Sequence, residues 1–272
     1  MYPNLYHHSL IQNSDPHDHK DRFLLEVRNV TKRFGNIVAL NKVSLGIKYG
    51  EVVGLVGDNG AGKSTLVKIL TGAIRHDGGE IYFKGKRIDK LTPKKAQELG
   101  IEVVHQERTL SEHQPLWRNV FMGREITNSL GFIQIKKQKR EVERIMKEVL
   151  KFRSAGVTPD TEVMVLSGGE KQGVQIARAL YFDAELIIMD EPTIQLSVSE
   201  VEKVLDFVRE LKRRGKSCLF ISHNMYHVYP IADRIVILDR GRVIGEVLKE
   251  KITVDELSKM LLHVAKTGKL IE

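Results

Sequence analysis

The stretch EVVGLVGDNGAGKSTLVKIL, Glu51 to Leu70, decides the fold. Its first part is a short apolar run rich in β-branched residues and bounded by glycine, which reads as a buried strand. Its last part, from Lys63 to Leu70, begins a helix. Between them lies GDNGAGKST, Gly57 to Thr65, which fits the pattern G-x-x-x-x-G-K-[ST]. A strand before that pattern and a helix after it make a phosphate cradle. Gly57, Gly60 and Gly62 let the backbone through Asp58, Asn59 and Ala61 close its amides around a β-phosphate. Lys63 reaches the β- and γ-phosphates as a point charge. Ser64 offers a hydroxyl to Mg²⁺, and Thr65 supports it at the helix start.

A second element complements the first. LIIMDEP, from Leu186, is an apolar strand that delivers Asp190 and Glu191 to its carboxyl end. In a parallel sheet that end lies beside the phosphate loop. Asp190 is the expected Mg²⁺ ligand, directly or through water. Glu191 is the candidate for orienting and activating an attacking water. Taken alone, the two acids read equally well as a helix cap; the loop upstream turns the reading towards chemistry.

Around these elements, short apolar strands alternate with helices: IEVVHQ, Glu185 to Asp190, Lys216 to Ser222 and Asp233 to Asp239. That alternation predicts a mainly parallel sheet covered by helices. Ahead of it, FLLEVRNV and Val38 to Tyr49 read as strands of an N-terminal β region. The texture changes between Glu107 and Val165. There Trp117 to Glu125 and Lys136 to Lys151 read as helices, the second with Val142, Ile145, Met146 and Val149 at helical spacing. The expected organisation is a His-rich disordered tail over 1–21, an α/β core over 22–106 and 166–250, an inserted helical subdomain over 107–165, and a C-terminal helix over 251–272. The tail holds His7, His8, His17 and His19.

The chain also carries LSGGEKQGVQIARAL, Leu166 to Leu180, a second set of glycines at a helix start and a second phosphate-binding pattern. About a hundred residues separate it from Lys63, and it shortly precedes the acidic strand. That order resembles the ATP-binding-cassette (ABC) ATPases, whose signature motif LSGGE resembles, with Glu170 where many members have Gln. The resemblance covers roughly Phe23 to Val247. It implies a P-loop NTPase core of the ABC type, binding ATP and Mg²⁺ and hydrolysing ATP. It also implies two cassettes paired head to tail, the signature of one closing over the γ-phosphate held by the other. Ser167, Gly168 and Gly169 then serve the opposite site, so one chain carries half of each of two sites. By the same resemblance Phe34 stacks on adenine. Gln106 senses Mg²⁺ and water and links to the helical subdomain, and His223 contacts the γ-phosphate. The D-loop departs from the pattern: Ile194 and Gln195 stand where sugar-importer relatives show small residues, which bears on whether the partner cassette is identical.

VVHQERTL, PDTEVMVLSGGEKQGVQIARALYF and EPT-x-x-LSVSEVEKV look like stretches of ribose/xylose-type uptake ATPases, many of which are tandem cassettes of about twice this length. The implied function is the nucleotide-binding subunit of a multi-chain importer. Its implied partners are a second cassette, a membrane permease and, indirectly, an extracytoplasmic solute-binding protein, with the chain on the cytoplasmic face of the membrane. The competing class is a soluble ATPase whose basic surface holds nucleic acid. The net charge of +8 permits that, but no nucleic-acid motif is present and none is expected as partner. A single cysteine, Cys218, excludes internal disulfides and multi-Cys metal sites, and its place in SCLFISH predicts a core thiol. No run approaches the roughly 20 apolar residues that span a bilayer, and the polar N-terminus lacks the apolar segment of a secretory leader.

Overall fold

The computed structural model describes residues 22–105, 110–147 and 156–270. The histidine-rich tail, Gln106 and Val149 therefore lie outside the described residues. The chain enters through a hairpin, β1 (Phe23–Phe34) and β2 (Ile37–Lys48), turned by Gly35 at φ 57°. The run from Glu51 then gives β3 (Val52–Val56), the phosphate loop and α1 (Lys63–Leu70). The chain continues through β4 (Gly78–Phe83), β5 (Lys86–Arg87), α2 (Pro93–Leu99) and β6 (Ile101–His105). β4 returns to β1, so β2, β1, β4 and β5 form an antiparallel sheet in that order.

The helical region holds α3 (Leu116–Phe121) and α4 (Ile135–Ile145). Both are shorter than the sequence suggests. After Phe121 the backbone turns extended at Met122 and left-handed at Gly123, φ 79°, which ends α3. The segment before α4 is a loop closed by a bridge between Thr127 and Ile133. Val142 and Ile145 of α4 are buried and Met146 is partly buried against them, so the charged residues of this helix largely face solvent. They pack with Leu116, Trp117, Val120 and Phe121 into a separate small core. Phe121, Tyr181 and Phe182 meet edge to face at centroid distances of 5.1 to 6.1 Å, joining this core to the next helix.

That next helix is α5 (Gly168–Tyr181), followed by β7 (Leu186–Asp190), α6 (Val198–Arg213), β8 (Ser217–Ile221), α7 (Met225–Val228), β9 (Arg234–Asp239), β10 (Arg242–Leu248) and α8 (Val254–Thr267). The main sheet runs β10-β9-β3-β8-β7-β6, parallel except for β10. Alternate residues serve opposite faces. Leu186 and Ile188 of β7 join the core shared with the antiparallel sheet, while Ile187 and Met189 join the core under α6 and α8. Because both faces are covered, these strands are apolar throughout rather than alternating. Cys218 is fully buried among them, and burial pushes its thiol pKa up, as a core thiol requires.

Strand order positions the site. β3, β8 and β7 lie side by side and parallel. Their carboxyl ends therefore bring the phosphate loop, the residues after Ile221, and the Asp190–Glu191 pair to one edge of the sheet.

Candidate nucleotide site

Glycine is required in the loop for identifiable reasons. A Cβ on Gly57 would lie 2.1 Å from the Leu238 carbonyl oxygen. Gly62 caps α1 at φ 107°, and a Cβ there would lie 2.7 Å from the Ala39 carbonyl oxygen. Gly60, at φ 84°, faces open space within 4 Å. The loop is thus packed tightly on the β2 side and the β9–β10 side and open at its tip. Ala61 is held at both backbone ends: its N–H donates to Asp58 and its carbonyl accepts from Gly241, at 3.1 and 2.9 Å. Such a rim presents the first amides of α1, which lack intrahelical acceptors, together with the positive end of its dipole. An anion of phosphate size fits this cradle.

Lys63 is only 7% exposed. Its ammonium donates to the carbonyls of Gly57 and Asp58 at 2.6 and 3.1 Å and lies 3.8 Å from Glu191 Oε1. A buried charge needs partners of this kind, and a phosphate offers it a stronger one. Asp190 ends β7, and α1, which begins with Lys63 and Ser64, packs against that strand. Among the described residues no cluster of three or more His, Cys, Asp or Glu side chains is poised for a metal. A carboxylate and a hydroxyl are the donor set of a Mg²⁺ that also takes phosphate oxygens, and Asp190 with Ser64 supplies it.

Glu191 is 9% exposed and holds φ 51°, a conformation that non-glycine residues seldom adopt. Its N–H donates to the Ile221 carbonyl at 3.0 Å. Its carboxylate accepts from the His223 N–H at 3.1 Å, and Oε2 meets His223 Nδ1 at 3.0 Å. The His223 ring remains half exposed on its other side. A second pair backs the first. His227 Nδ1 donates to Thr193 Oγ1 at 2.9 Å, and its Nε2 accepts from Asn224 at 3.2 Å. Burial, and after it the neighbouring His223, hold the His227 pKa below its usual value, which favours the neutral ring. The sequence reading missed Thr193, Asn224 and His227. The spacing of His223 and His227 in HNMYH, one helical turn apart, was the available signal.

Phe34 ends β1 with its ring 49% exposed and Lys32 Nζ 5.4 Å from its centroid, so it is open to a stacking ligand rather than packed in a core. Ser167 caps α5, its hydroxyl accepting from the Glu170 N–H at 3.3 Å while Glu170 accepts from the Ser167 N–H at 2.9 Å. This capping box accepts Glu as readily as Gln, which explains how Glu170 is accommodated. Gly168 and Gly169 pack against Leu196 and Glu200, which follow the acidic strand. Ile194 is partly buried and Gln195 exposed, the latter at φ 60°.

The ABC transporter family model matches residues 40–194, from β2 through the phosphate loop, the signature and the acidic strand. The chain belongs to the ABC transporter family. This cassette is an ATP-binding, ATP-hydrolysing unit of the ABC type. It is 44% identical to the "Xylose/arabinose import ATP-binding protein XylG" of Sulfolobus acidocaldarius, over 89% of this chain and 95% of that protein. It is 37% identical to the "Ribose import ATP-binding protein RbsA" of Caldanaerobacter subterraneus, over 88% of this chain but 47% of that protein, so it spans about half of that relative. Its fold is similar to a solved nucleotide-free ATP-binding cassette from an ABC transporter, with a TM-score of 0.75, 30% identity, and coverage of 87% and 96% of the two chains. It is also similar to a dimeric cassette in a post-hydrolysis state bound to ADP and Pi, with a TM-score of 0.68 and 26% identity, covering 83% of this chain and 98% of that one.

Proposed function

We propose that this cassette is the ATP-hydrolysing subunit of a multi-chain importer and energises uptake of a monosaccharide through a separate membrane permease. The observation that carries the proposal is the 44% identity with the xylose/arabinose import protein over 95% of that protein's length. The hydrolytic constellation around Lys63, Glu191 and His223 supports it. In this reading Phe34 stacks on adenine, Gly57 to Thr65 enclose the phosphates, and Ser64, Asp190 and Gln106 hold Mg²⁺. The metal, when bound, draws charge from the phosphate oxygens.

The chain's own groups do the rest. Lys63 exchanges the carbonyls of Gly57 and Asp58 for phosphate oxygens. Glu191 accepts the proton of the attacking water. His223 fixes the Glu191 carboxylate through its N–H and ring nitrogen and turns its exposed edge to the γ-phosphate. Ser167, Gly168 and Gly169 donate to the nucleotide of a second cassette, arranged head to tail about a two-fold axis. The core over 22–106 and 166–250 carries the chemistry, and the insertion over 107–165 docks on a permease helix at the cytoplasmic face. An extracytoplasmic binding protein selects the sugar.

The test is to purify Glu191→Gln with ATP from native membranes and identify what accompanies it. A multi-helix permease is expected, and the ATPase of that complex should rise when its binding protein carries a pentose or a related monosaccharide. Recovery of soluble protein or nucleic acid alone would overturn the import reading.

A further inference from the structure

Glu200 lies one turn into α6, beyond the stretch 40–194 that the family model matches. Its carboxylate serves two helices. Oε1 accepts from the Gly169 N–H, at the start of α5, at 3.0 Å. Oε2 accepts from the Ser197 N–H and hydroxyl, at the start of α6, at 3.0 and 2.8 Å. The Ser167 hydroxyl bonds the same carboxylate. The packing beneath is equally close. A Cβ on Gly169 would lie 3.1 Å from Glu200 Cβ and Cγ, and one on Gly168 would lie 2.7 Å from Leu196 Cδ2.

Two helix N-termini placed this near each other bring two sets of unpaired amides and two positive dipole ends together. Without a shared anion the arrangement is repulsive. The Glu200 carboxylate supplies that anion and gives donors on both helices a charged acceptor. We propose that Glu200 is a positioning residue. It joins the signature loop Ser167–Gly169 to the segment between Glu191 and Ser197, so that both strips reach the opposite cassette as one rigid edge. The segment is continuous with the hydrolytic site, because the Ile194 N–H donates to the Glu191 carbonyl at 3.3 Å and Thr193 is bonded to His227. A change at one chain's Glu191 is thereby transmitted to the donors that serve the other chain's nucleotide.

This inference rests on the paired-cassette reading, and the experiment separates the two. Dimerisation with ATP is measured by analytical ultracentrifugation for Glu191→Gln alone and for Glu191→Gln combined with Glu200→Ala. Nucleotide affinity of the single chain is measured alongside. Glu191→Gln should dimerise with ATP. The double variant should bind nucleotide within about twofold of it but dimerise at least about tenfold more weakly, the scale of one lost charge-assisted hydrogen bond. Glu191→Gln with Glu200→Gln, which keeps an acceptor oxygen but not the charge, should fall between, and it serves if the alanine variant does not fold. Equal dimerisation of all three would overturn the positioning role. A Glu191→Gln chain that stays monomeric with ATP would overturn the paired reading itself.

Discussion

At the residue scale, the hydrolytic site is held by a few side chains with separable duties. Lys63 is a buried ammonium whose partners are the carbonyls of Gly57 and Asp58 and the Glu191 carboxylate. Lys63→Ala removes the cation that meets phosphate, and ATP affinity should fall by about 10- to 100-fold in a fluorescence titration. Glu191→Gln keeps the side-chain shape and an acceptor for the His223 N–H but cannot take a proton. Nucleotide binding should persist while turnover drops by about 10²- to 10⁴-fold, read as phosphate release. His223→Ala leaves Glu191 without its ring contact and should slow the same step by a smaller factor with little change in KM. Full activity of that variant would make His223 a structural residue. These positions were legible because each has a local signature: a glycine pattern, an apolar strand ending in acids, a strand ending in FISHN. The supporting pair of His227 and Thr193 was not legible, since its partners are 34 residues apart and meet only across two sheet-edge loops.

At the element scale, helix termini decide the geometry. Gly62→Ala would place a methyl 2.7 Å from the Ala39 carbonyl and 2.8 Å from Leu40 Cδ2 at φ 107°. Strain of about 1–3 kcal/mol is expected at such a position, relieved by moving the loop. The variant should melt lower and bind ATP more weakly, as calorimetry and titration would show together. The shared cap of α5 and α6 gives a pH effect of definite sign. Hydrogen bonds from the Gly169 and Ser197 amides, in that order of weight, hold the Glu200 carboxyl well below its usual value, at about 2. A depressed pKa contributes stability that is present above about pH 4.5 and is lost as pH falls towards 2. Wild type and Glu200→Gln should therefore differ most in melting temperature above about pH 5 and converge below about pH 3. A constant gap would show that charge is not what the carboxylate contributes.

At the scale of the whole molecule, the antiparallel sheet is tied to the main sheet by a buried ion network. Arg234, on β9, donates to Glu51 at 2.9 Å and to the Gly46 carbonyl at 2.6 Å, and it pairs with Glu246. Its side chain is 6% exposed. Arg234→Ala strands two carboxylates and should cost about 3–5 kcal/mol, measurable as a lower denaturant midpoint. The exposed pairs on α6, such as Arg209 with Asp206, should each contribute about 0–1 kcal/mol at most.

Local pattern determined the phosphate loop, the acidic strand, the signature cap and the alternation of strands and helices, because each depends on spacing within one element. The parallel core could be read from apolar runs covered on both faces. The limits of α3 and α4 could not, since a left-handed glycine and a loop interrupt a pattern whose periodicity continues through them. Tertiary structure alone decided which strand ends share an edge, and so brought Lys63, Glu191 and His223 together. It also decided that Glu200 leaves its own helix to hold another, because hydrogen bonds between residues 31 positions apart follow from packing, which no local periodicity encodes.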